Sequence, residues 1–135
     1  MTPEAACYMD TAERALLDAR AVLAANVPSQ AARLAYQSQF HAAQALIFER
    51  TGKISKTHKG VDRQFHNLAR GETYFPVGLA AELTRAYSFK ENADYGTDPA
   101  ALATPDEARG AIAVAEKFLA VIRQALTTPP ASPTP

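Results

Sequence analysis

Cysteine is almost absent from this sequence of 135 residues, which contains Cys7 alone. One cysteine excludes an internal disulfide and a zinc site built from Cys-x-x-Cys pairs, and it is typical of a reducing, cytoplasmic location. The amino-terminal stretch MTPEAACYMD has neither the basic region nor the long apolar region of a signal peptide. No apolar run approaches the roughly 20 residues of a membrane helix, so we expect no membrane partner.

Net charge is absent too, because 14 lysines and arginines balance 14 aspartates and glutamates. The bulk charge therefore gives no indication of a nucleic-acid partner. Valine, isoleucine and threonine nowhere alternate with polar residues, whereas alanine is abundant, so the sequence predicts helices and no strands. A chain of this length forms one domain around a single core.

Helix start and stop signals divide the chain into five predicted helices. Thr2 is suited to cap a first helix that reaches about Asn26, and Pro28 or Ser29 opens a second helix that lasts until Gly52. A short helix is predicted over 57–69 and a fourth over 77–91, and the residues TPDE at 104–107 form a capping box for the fifth. We predict an all-α, up-down bundle with two long antiparallel helices.

The helical domain is expected to span residues 1–126. The remaining stretch, 127–135, has four prolines in nine residues and no side chain suited to a core. It is predicted to be a disordered or polyproline-like tail.

The second helix has two apolar sides. One side is the candidate for the core and consists of Ala32, Tyr36, Phe40, Ala43 and Ile47. The other side consists of Leu34, His41, Ala45 and Phe48. A helix that is apolar on two sides must be covered twice. The second cover is either another copy of the chain, which predicts a homodimer with the Leu34–His41–Phe48 side at the interface, or the first and last helices of the same chain.

Three stretches of the chain have the order and spacing of motifs from one known family. They are RLAYQSQFHAAQAL at 33–46, THKGV at 57–61 with Phe65, and LTRAYSFKENADYG at 83–96. In these stretches the chain resembles the HEPN domain family (higher eukaryotes and prokaryotes nucleotide-binding), and most closely its small stand-alone bacterial and archaeal branch. The resemblance covers roughly residues 29–96.

The resemblance implies an α-helical bundle that usually dimerises and often works beside a minimal nucleotidyltransferase. Many members of the family are metal-independent ribonucleases, and these are frequently the toxins of toxin–antitoxin pairs. Their signature is an arginine followed by four to six residues and a histidine on the second long helix, with sites assembled across the dimer.

The same resemblance makes His41 the catalytic base, which would accept the proton of the 2′-hydroxyl group. The family arginine, which stabilises the charge of the transition state, falls on Leu34, and leucine donates no hydrogen bond. The nearest arginine, Arg33, is displaced by one residue and therefore by about 100° around the helix. Enzymatic activity is left open: His41 is either a base with Arg33 as its displaced electrostatic partner, or a buried or interface histidine.

Residues 52–70 form a locally basic segment, with five lysines and arginines against Asp62 alone. Such a segment either binds phosphate or RNA by electrostatics or is a solvated surface. The residues predicted to bind a ligand are Lys56, His58, Lys59, Arg63, Asp94 and Tyr95.

Each of these residues also has a structural interpretation. His58 would make a polar contact at a helix start, Asp94 would pair with an arginine or cap a helix, and Tyr95 would pack its ring. No pair of histidines has metal-ligand spacing beside a carboxylate, so neither a metal nor another cofactor is expected.

Three functions are compatible with these residues. The first is a nucleotide- or RNA-associated binding or regulatory module, the partner of a nucleotidyltransferase in a toxin–antitoxin-like system. The second is a metal-independent ribonuclease toxin that uses His41, and the third is a structural oligomerisation module with a decayed site. The displaced arginine favours the first and third functions over the second.

Overall fold

The structure, a computed structural model, describes residues 1–72 and 75–128 and consists of five α-helices. They are α1 (Pro3–Ala24), α2 (Pro28–Thr51), α3 (His58–Ala69), α4 (Leu79–Tyr95) and α5 (Pro105–Thr127), with a 3₁₀ turn at Pro99–Ala101 before α5. No strand occurs within the described ranges. The prediction of an all-α bundle of about five helices is confirmed.

Three helix ends are stabilised by the residues that predicted them. Thr2 Oγ1 accepts a hydrogen bond from the amide of Ala5 at 3.2 Å, which caps α1. Thr104 Oγ1 accepts from the amide of Glu107 at 3.1 Å, and the Glu107 carboxylate accepts from the amide of Thr104 at 3.0 Å, so the capping box of α5 is complete. Gly52 follows α2 with a φ of 71°, the left-handed conformation that ends a helix.

The turn between α1 and α2 reverses the chain within a few residues. Asn26 has a φ of 67°. Its amide donates to the carbonyl of Leu23 at 2.9 Å, and the amide of Val27 donates to the carbonyl of Val22 at 3.1 Å. These two bonds define a Schellman motif with asparagine in the left-handed position. The motif lets the two long helices pack side by side.

The fourth helix extends further than predicted. It begins at Leu79 and ends at Tyr95, so the prediction that NADYGTDP terminates it near residue 91 is wrong. Asparagine, aspartate and glycine favour turns by their local chemistry. Here Lys90 Nζ lies 3.2 Å from Asp94 Oδ2, one helical turn away, and this pair supports the last turn. The helix stops at Gly96, where a Cβ would lie 2.5 Å from the carbonyl oxygen of Asn92.

Helix α2 lies at the centre of the bundle and packs against all four other helices. Eleven of its residues are buried, more than one face of a helix provides, so it is covered on several sides. From α3, Phe65 is fully buried, and its ring centre lies 5.3 Å from that of Phe118 in α5. The predicted apolar stripe of α5 is buried and consists of Ala108, Ile112, Ala115, Leu119 and Ile122.

The second apolar side of α2 is partly covered within the chain. Ala45 is fully buried, and the ring centre of Phe48 lies 6.3 Å from that of Tyr8 in α1. Leu34 and His41 are half-buried. Helix α1 therefore covers part of the side that we assigned to a dimer interface, and the homodimer itself stays a prediction.

The carboxyl end of the fold is close to the predicted domain boundary. Helix α5 ends at Thr127, one residue after the predicted end of the helical domain. Residues 129–135, which make up most of the predicted tail, lie outside the described residues. None of the helices in the described part of the chain has the length and apolar character needed to span a membrane.

Candidate functional site

The loop before α3 is fixed in place by one glutamine and one glycine. The Gln64 side chain accepts from the amide of Ser55 at 2.8 Å and donates to the carbonyl of Lys53 at 3.2 Å. Gly60 lies against the same loop, and a Cβ at this position would come within 1.8 Å of Ser55 Oγ and 2.6 Å of Ser55 Cβ. Thr57 caps α3 by accepting from the amide of Gly60 at 2.9 Å. The first residue of α3, His58, is therefore held in a defined position.

His58 lies among three aromatic rings from α2 and α4. Its Nδ1 shares a hydrogen bond of 2.7 Å with the hydroxyl of Tyr36. The centre of its ring lies 4.4 Å from that of Phe40, at an interplanar angle of 30°. The ring of Tyr87 lies 5.5 Å away on α4. Three helices thus meet around one histidine.

A pocket of about 220 Å³ opens between these rings. Its walls are mainly apolar, and its two charged groups, Lys59 and Asp62, come from α3. It is lined by Tyr36, Phe40, His58, Lys59, Asp62, Leu83, Thr84 and Tyr87. Two of the predicted ligand-binding residues, His58 and Lys59, therefore belong to one site.

The environment of the pocket keeps His58 and Tyr36 neutral near pH 7. Burial lowers the pKa of His58 below its ordinary value of 6.5, and the positive charge of Lys90 lowers it further. Burial raises the pKa of Tyr36 strongly, and the neighbouring Tyr87 adds to this effect. A neutral phenol can donate a hydrogen bond to the unprotonated nitrogen of a neutral imidazole. The pair therefore offers hydrogen bonding without a formal charge.

Asp62 is the carboxylate of the pocket, and its orientation is fixed by α4. Thr84 Oγ1 donates to Asp62 Oδ1 at 2.8 Å. The same hydroxyl lies 2.9 Å from Nε2 of His66, which is within hydrogen-bonding distance. This chain of bonds connects α3 to α4 at one end of the pocket.

An ion-pair cluster lies beyond the other end of the pocket. Arg33 Nε donates to Asp94 Oδ1 at 2.7 Å, and Lys90 Nζ lies 3.2 Å from Asp94 Oδ2. Burial acts to raise the pKa of Asp94, but the hydrogen bonds from Lys90 and Arg33 outweigh it and lower the pKa. The expected pairing of Asp94 with an arginine is confirmed.

Tyr95 does not pack its ring into the core, so that interpretation is wrong. The residue is 70% exposed, because it stands at the last position of α4, where the chain turns away. Lys90 Nζ lies 4.9 Å from the centre of its ring. At this distance the ammonium group is attracted to the face of the ring.

The two residues predicted to carry catalysis have different partners. His41 Nδ1 shares a hydrogen bond of 2.8 Å with Gln44 Oε1, and its ring lies 5.6 Å from that of Phe40. Arg33 contacts Asp94 instead. Leu34, at the family arginine position, is half-buried and packs against the core. Arg33 and His41 therefore bind different side chains in the structure and not each other.

The basic segment presents exposed cations beside the pocket. Lys56, Lys59 and Arg63 are exposed, and Lys59 also lines the pocket. Within residues 1–72 and 75–128, no carboxylate forms an ion pair with any of these three side chains. In the same ranges, no group of three His, Cys, Asp or Glu side chains is placed to hold a metal ion. Anions are thus the ligands that this surface favours.

The sequence did not reveal the aromatic walls of the site. Tyr36 and Phe40 are four residues apart on α2, a spacing that equally indicates a core, and Tyr36 was assigned to it. Tyr87 lies within a stretch that contributed to the family resemblance, but nothing in its spacing indicates proximity to His58. Only the packing of α2, α3 and α4 brings these rings together.

Comparisons with known proteins cover almost the whole chain. The model of the HEPN domain family matches residues 5–125. A protein of Methanocaldococcus jannaschii named "Putative toxin MJ0605" is 30% identical over 123 residues, which are 91% of this chain and 89% of that protein.

Proposed function

Because this chain belongs to the HEPN domain family, we propose that it is an RNA- or nucleotide-binding module that acts in a toxin–antitoxin-like pair. The ligand would place one base in the aromatic pocket around His58 and its phosphates on the exposed cations of α3. The observation that carries this proposal is the pocket itself, which combines ring walls with neighbouring positive charge.

The ring walls suit a nucleobase. Single-stranded RNA is commonly recognised by stacking unpaired bases on aromatic side chains. Such stacking contributes about 1–3 kcal/mol per base and tolerates different bases. The rings of Phe40, His58 and Tyr87 face one cavity of about 220 Å³. This volume is below the range of drug-sized ligand sites and suits one planar ring system.

The cations beside the pocket suit the phosphates of the same ligand. Lys59 lies in the wall of the pocket, and Lys56 and Arg63 are exposed on the same segment. Contacts of this kind release counterions, so they give an affinity that falls as salt rises. They carry no sequence information by themselves. The proposed binding is therefore salt-dependent and weakly selective for sequence.

Fluorescence anisotropy with a labelled single-stranded RNA tests this function. Tyr87→Leu removes one wall and is expected to weaken binding about tenfold. Lys59→Ala combined with Arg63→Ala is expected to reduce the magnitude of the slope of log K against log salt by about 1.4, or about 0.7 for each lost contact. Lys117→Ala removes an exposed cation of α5 and serves as the control. Wild-type affinity in both pocket variants would contradict the proposal.

We also propose that the chain works as one component of a two-component system with a nucleotidyltransferase partner. Support comes from the family and from the relative whose name describes a toxin. The test is growth of a host that expresses the chain, alone and together with a small nucleotidyltransferase as the candidate partner. Growth arrest that the second protein relieves is the expected result. Normal growth at high expression would contradict a toxin role.

A metal-independent ribonuclease that uses His41 is the alternative activity. Arg33 is bound to Asp94 and His41 to Gln44, so their contacts favour binding over cleavage. We expect little or no cleavage of a mixed RNA in EDTA, and the variants His41→Ala and Leu34→Arg are the comparison. Robust wild-type cleavage that His41→Ala abolishes would make the nuclease the correct function. Activity in Leu34→Arg alone would indicate a decayed site.

A further inference from the structure

Asp94 holds two cations next to the aromatic pocket. Its Oδ1 accepts from Arg33 Nε at 2.7 Å, and its Oδ2 lies 3.2 Å from Lys90 Nζ. The side chains of Arg33, Lys90 and Asp94 are 28%, 13% and 21% exposed, so the cluster is partly shielded from water but still open at the surface. One carboxylate thus lies between two positive charges.

The cluster and the pocket are continuous along the two helices that share them. Arg33 precedes Tyr36 by three residues on α2, and Lys90 follows Tyr87 by three residues on α4. Three residues correspond to about 4.5 Å along a helix axis and return to nearly the same face. Lys90 Nζ also lies 5.9 Å from the ring centre of Tyr87, which lines the pocket. A ligand that occupies the pocket would therefore be able to contact the cluster with the group attached to the part inside the pocket.

We propose that Arg33 and Lys90 form a phosphate-binding subsite and that Asp94 occupies it until a phosphate displaces its carboxylate. The identity of the ligand as RNA or a nucleotide rests on the function proposed above. The proposal that Asp94 occupies the subsite rests only on the contacts among Arg33, Lys90 and Asp94.

The guanidinium group of Arg33 has donors left for a phosphate. Among the residues that the structure describes, only its Nε bonds to Asp94, and neither terminal nitrogen has a hydrogen-bond acceptor. Arginine binds phosphate with two parallel N–H groups, so a phosphate can use the part of the fork that Asp94 leaves unoccupied. Lys90 supplies a point charge on the other side. A phosphate therefore gains more contacts here than the carboxylate that it replaces.

With this subsite, an RNA strand is expected to bind more tightly than a single phosphate group. Lys59 and Arg63 belong to α3, whereas Arg33 belongs to α2 and Lys90 to α4. A base within an RNA strand is flanked by a phosphate on each side. One base in the pocket would thus present phosphates to both groups of cations.

The test is the affinity of Asp94→Asn for a labelled single-stranded RNA. Removing one negative charge next to a bound phosphate is expected to tighten binding about fivefold. The dependence of log K on log salt is expected to steepen by about 0.7. Asp106→Asn removes an exposed acid of α5 that pairs with Arg109, and it controls for net charge.

Two results would overturn the proposal. One is a folded Asp94→Asn protein that binds RNA with wild-type or weaker affinity, which would make Asp94 a positioning residue. The other is wild-type affinity in both Arg33→Gln and Lys90→Gln, and this arm decides the question even when Asp94→Asn does not fold.

A second readout separates this proposal from the proposed function. Inorganic pyrophosphate is expected to raise the melting temperature of Asp94→Asn more than that of the wild type, and not to raise that of Asp94→Asn combined with Arg33→Gln. If this shift appears while no variant binds RNA, the subsite stands and the RNA function fails. If RNA binds the wild type but neither pyrophosphate nor Asp94→Asn has any effect, the function stands and the subsite fails.

Discussion

The two sides of α2 contain different chemistry. The helices that cover one side, α1 and α5, bury mainly alanine, leucine and isoleucine against it. On the side of α3 and α4, the same helix carries Tyr36 and Phe40 next to a histidine, an ion-pair cluster and a pocket of about 220 Å³. One side is filled, and the other is left partly open.

This difference indicates which side is the scaffold and which side holds the candidate site. Protein interiors are close-packed, and an unfilled volume lowers stability. A cavity with ring walls and converging polar groups is what a ligand site requires. The small side chains of α1 and α5 let these helices hold α2 firmly, so α2 can contribute its opposite side to the pocket.

The largest expected effect concerns the scaffold. Arg50 Nε bonds Glu72 Oε1 at 2.9 Å, and a terminal nitrogen of Arg50 donates to the carbonyl of Ala125 at 2.9 Å. The two side chains are only 11% and 7% exposed. Arg50→Met strands the Glu72 charge and is expected to lower the free energy of unfolding by about 3–5 kcal/mol in urea titrations.

The control for this prediction is a matched pair at the surface. Arg20 and Glu116 form an ion pair in which both side chains are 47% exposed. Arg20→Met is expected to change the free energy of unfolding by less than about 1 kcal/mol. Equal effects of Arg20→Met and Arg50→Met would show that the buried pair has no special role.

The second prediction concerns the wall of the site. Gly60→Ala would place a Cβ 2.6 Å from Ser55 Cβ, so the loop before α3 must move. Overpacking of this kind is expected to destabilise the fold by about 1–3 kcal/mol. Ser55→Gly is expected to rescue much of the loss, which a double-mutant cycle measures by chemical denaturation. A purely additive cycle would contradict the proposed clash.

The helix ends that depend on local signals could be predicted from the sequence, whereas contacts between distant segments could not. The caps at Thr2, Thr57 and Thr104 and the left-handed Gly52 are local signals, so the helix ends that depend on them were predictable. The end of α4 was not predicted, because one of the two cations that contact Asp94 is Arg33, 61 residues away, and only Lys90 is local. A ligand-binding role for His58 was predicted from its basic surroundings, and it stays a prediction. The ring partners of His58 were not predicted, because rings at helical spacing equally indicate a core.

The third prediction concerns the half-covered side of α2. If the chain dimerises through the Leu34–His41–Phe48 side, then Leu34→Glu buries a charge in the interface and is expected to weaken dimerisation at least about tenfold. Leu17→Glu on α1, at a leucine that is 60% exposed, is the matched control. Light scattering at micromolar concentration measures both. A monomeric wild type would contradict the homodimer.

The smallest expected effect concerns pH. The pKa of His58 in the folded chain lies below its ordinary value of 6.5, so the unfolded chain takes up the proton first as pH falls. The contribution of neutral His58 to the free energy of unfolding is therefore fully present above about pH 6.5 and is lost as pH falls below that value. Urea unfolding at several pH values between 7 and 5 measures this slope, which is expected to be smaller in His58→Gln than in the wild type. Among the charged groups that act on the pKa of His58, Lys90 lowers it, whereas Glu91 and Asp94 raise it.

An unchanged slope in His58→Gln would show that its burial has no energetic consequence. Lys90→Met removes the positive charge that lowers the pKa of His58, so that pKa is expected to rise towards 6.5 in a histidine NMR titration. A fall in this pKa would contradict the assignment of Lys90 as its neighbour.

The most direct measurement follows the imidazole signals of the protein while single-stranded RNA is added. The chain has only three histidines, so His41, His58 and His66 can be assigned in one NMR spectrum with single substitutions. We predict that the His58 signals shift with saturation, since this ring lies in the wall of the pocket, while those of His41 change little. Shifts of His41 without shifts of His58 would contradict the pocket as the binding site.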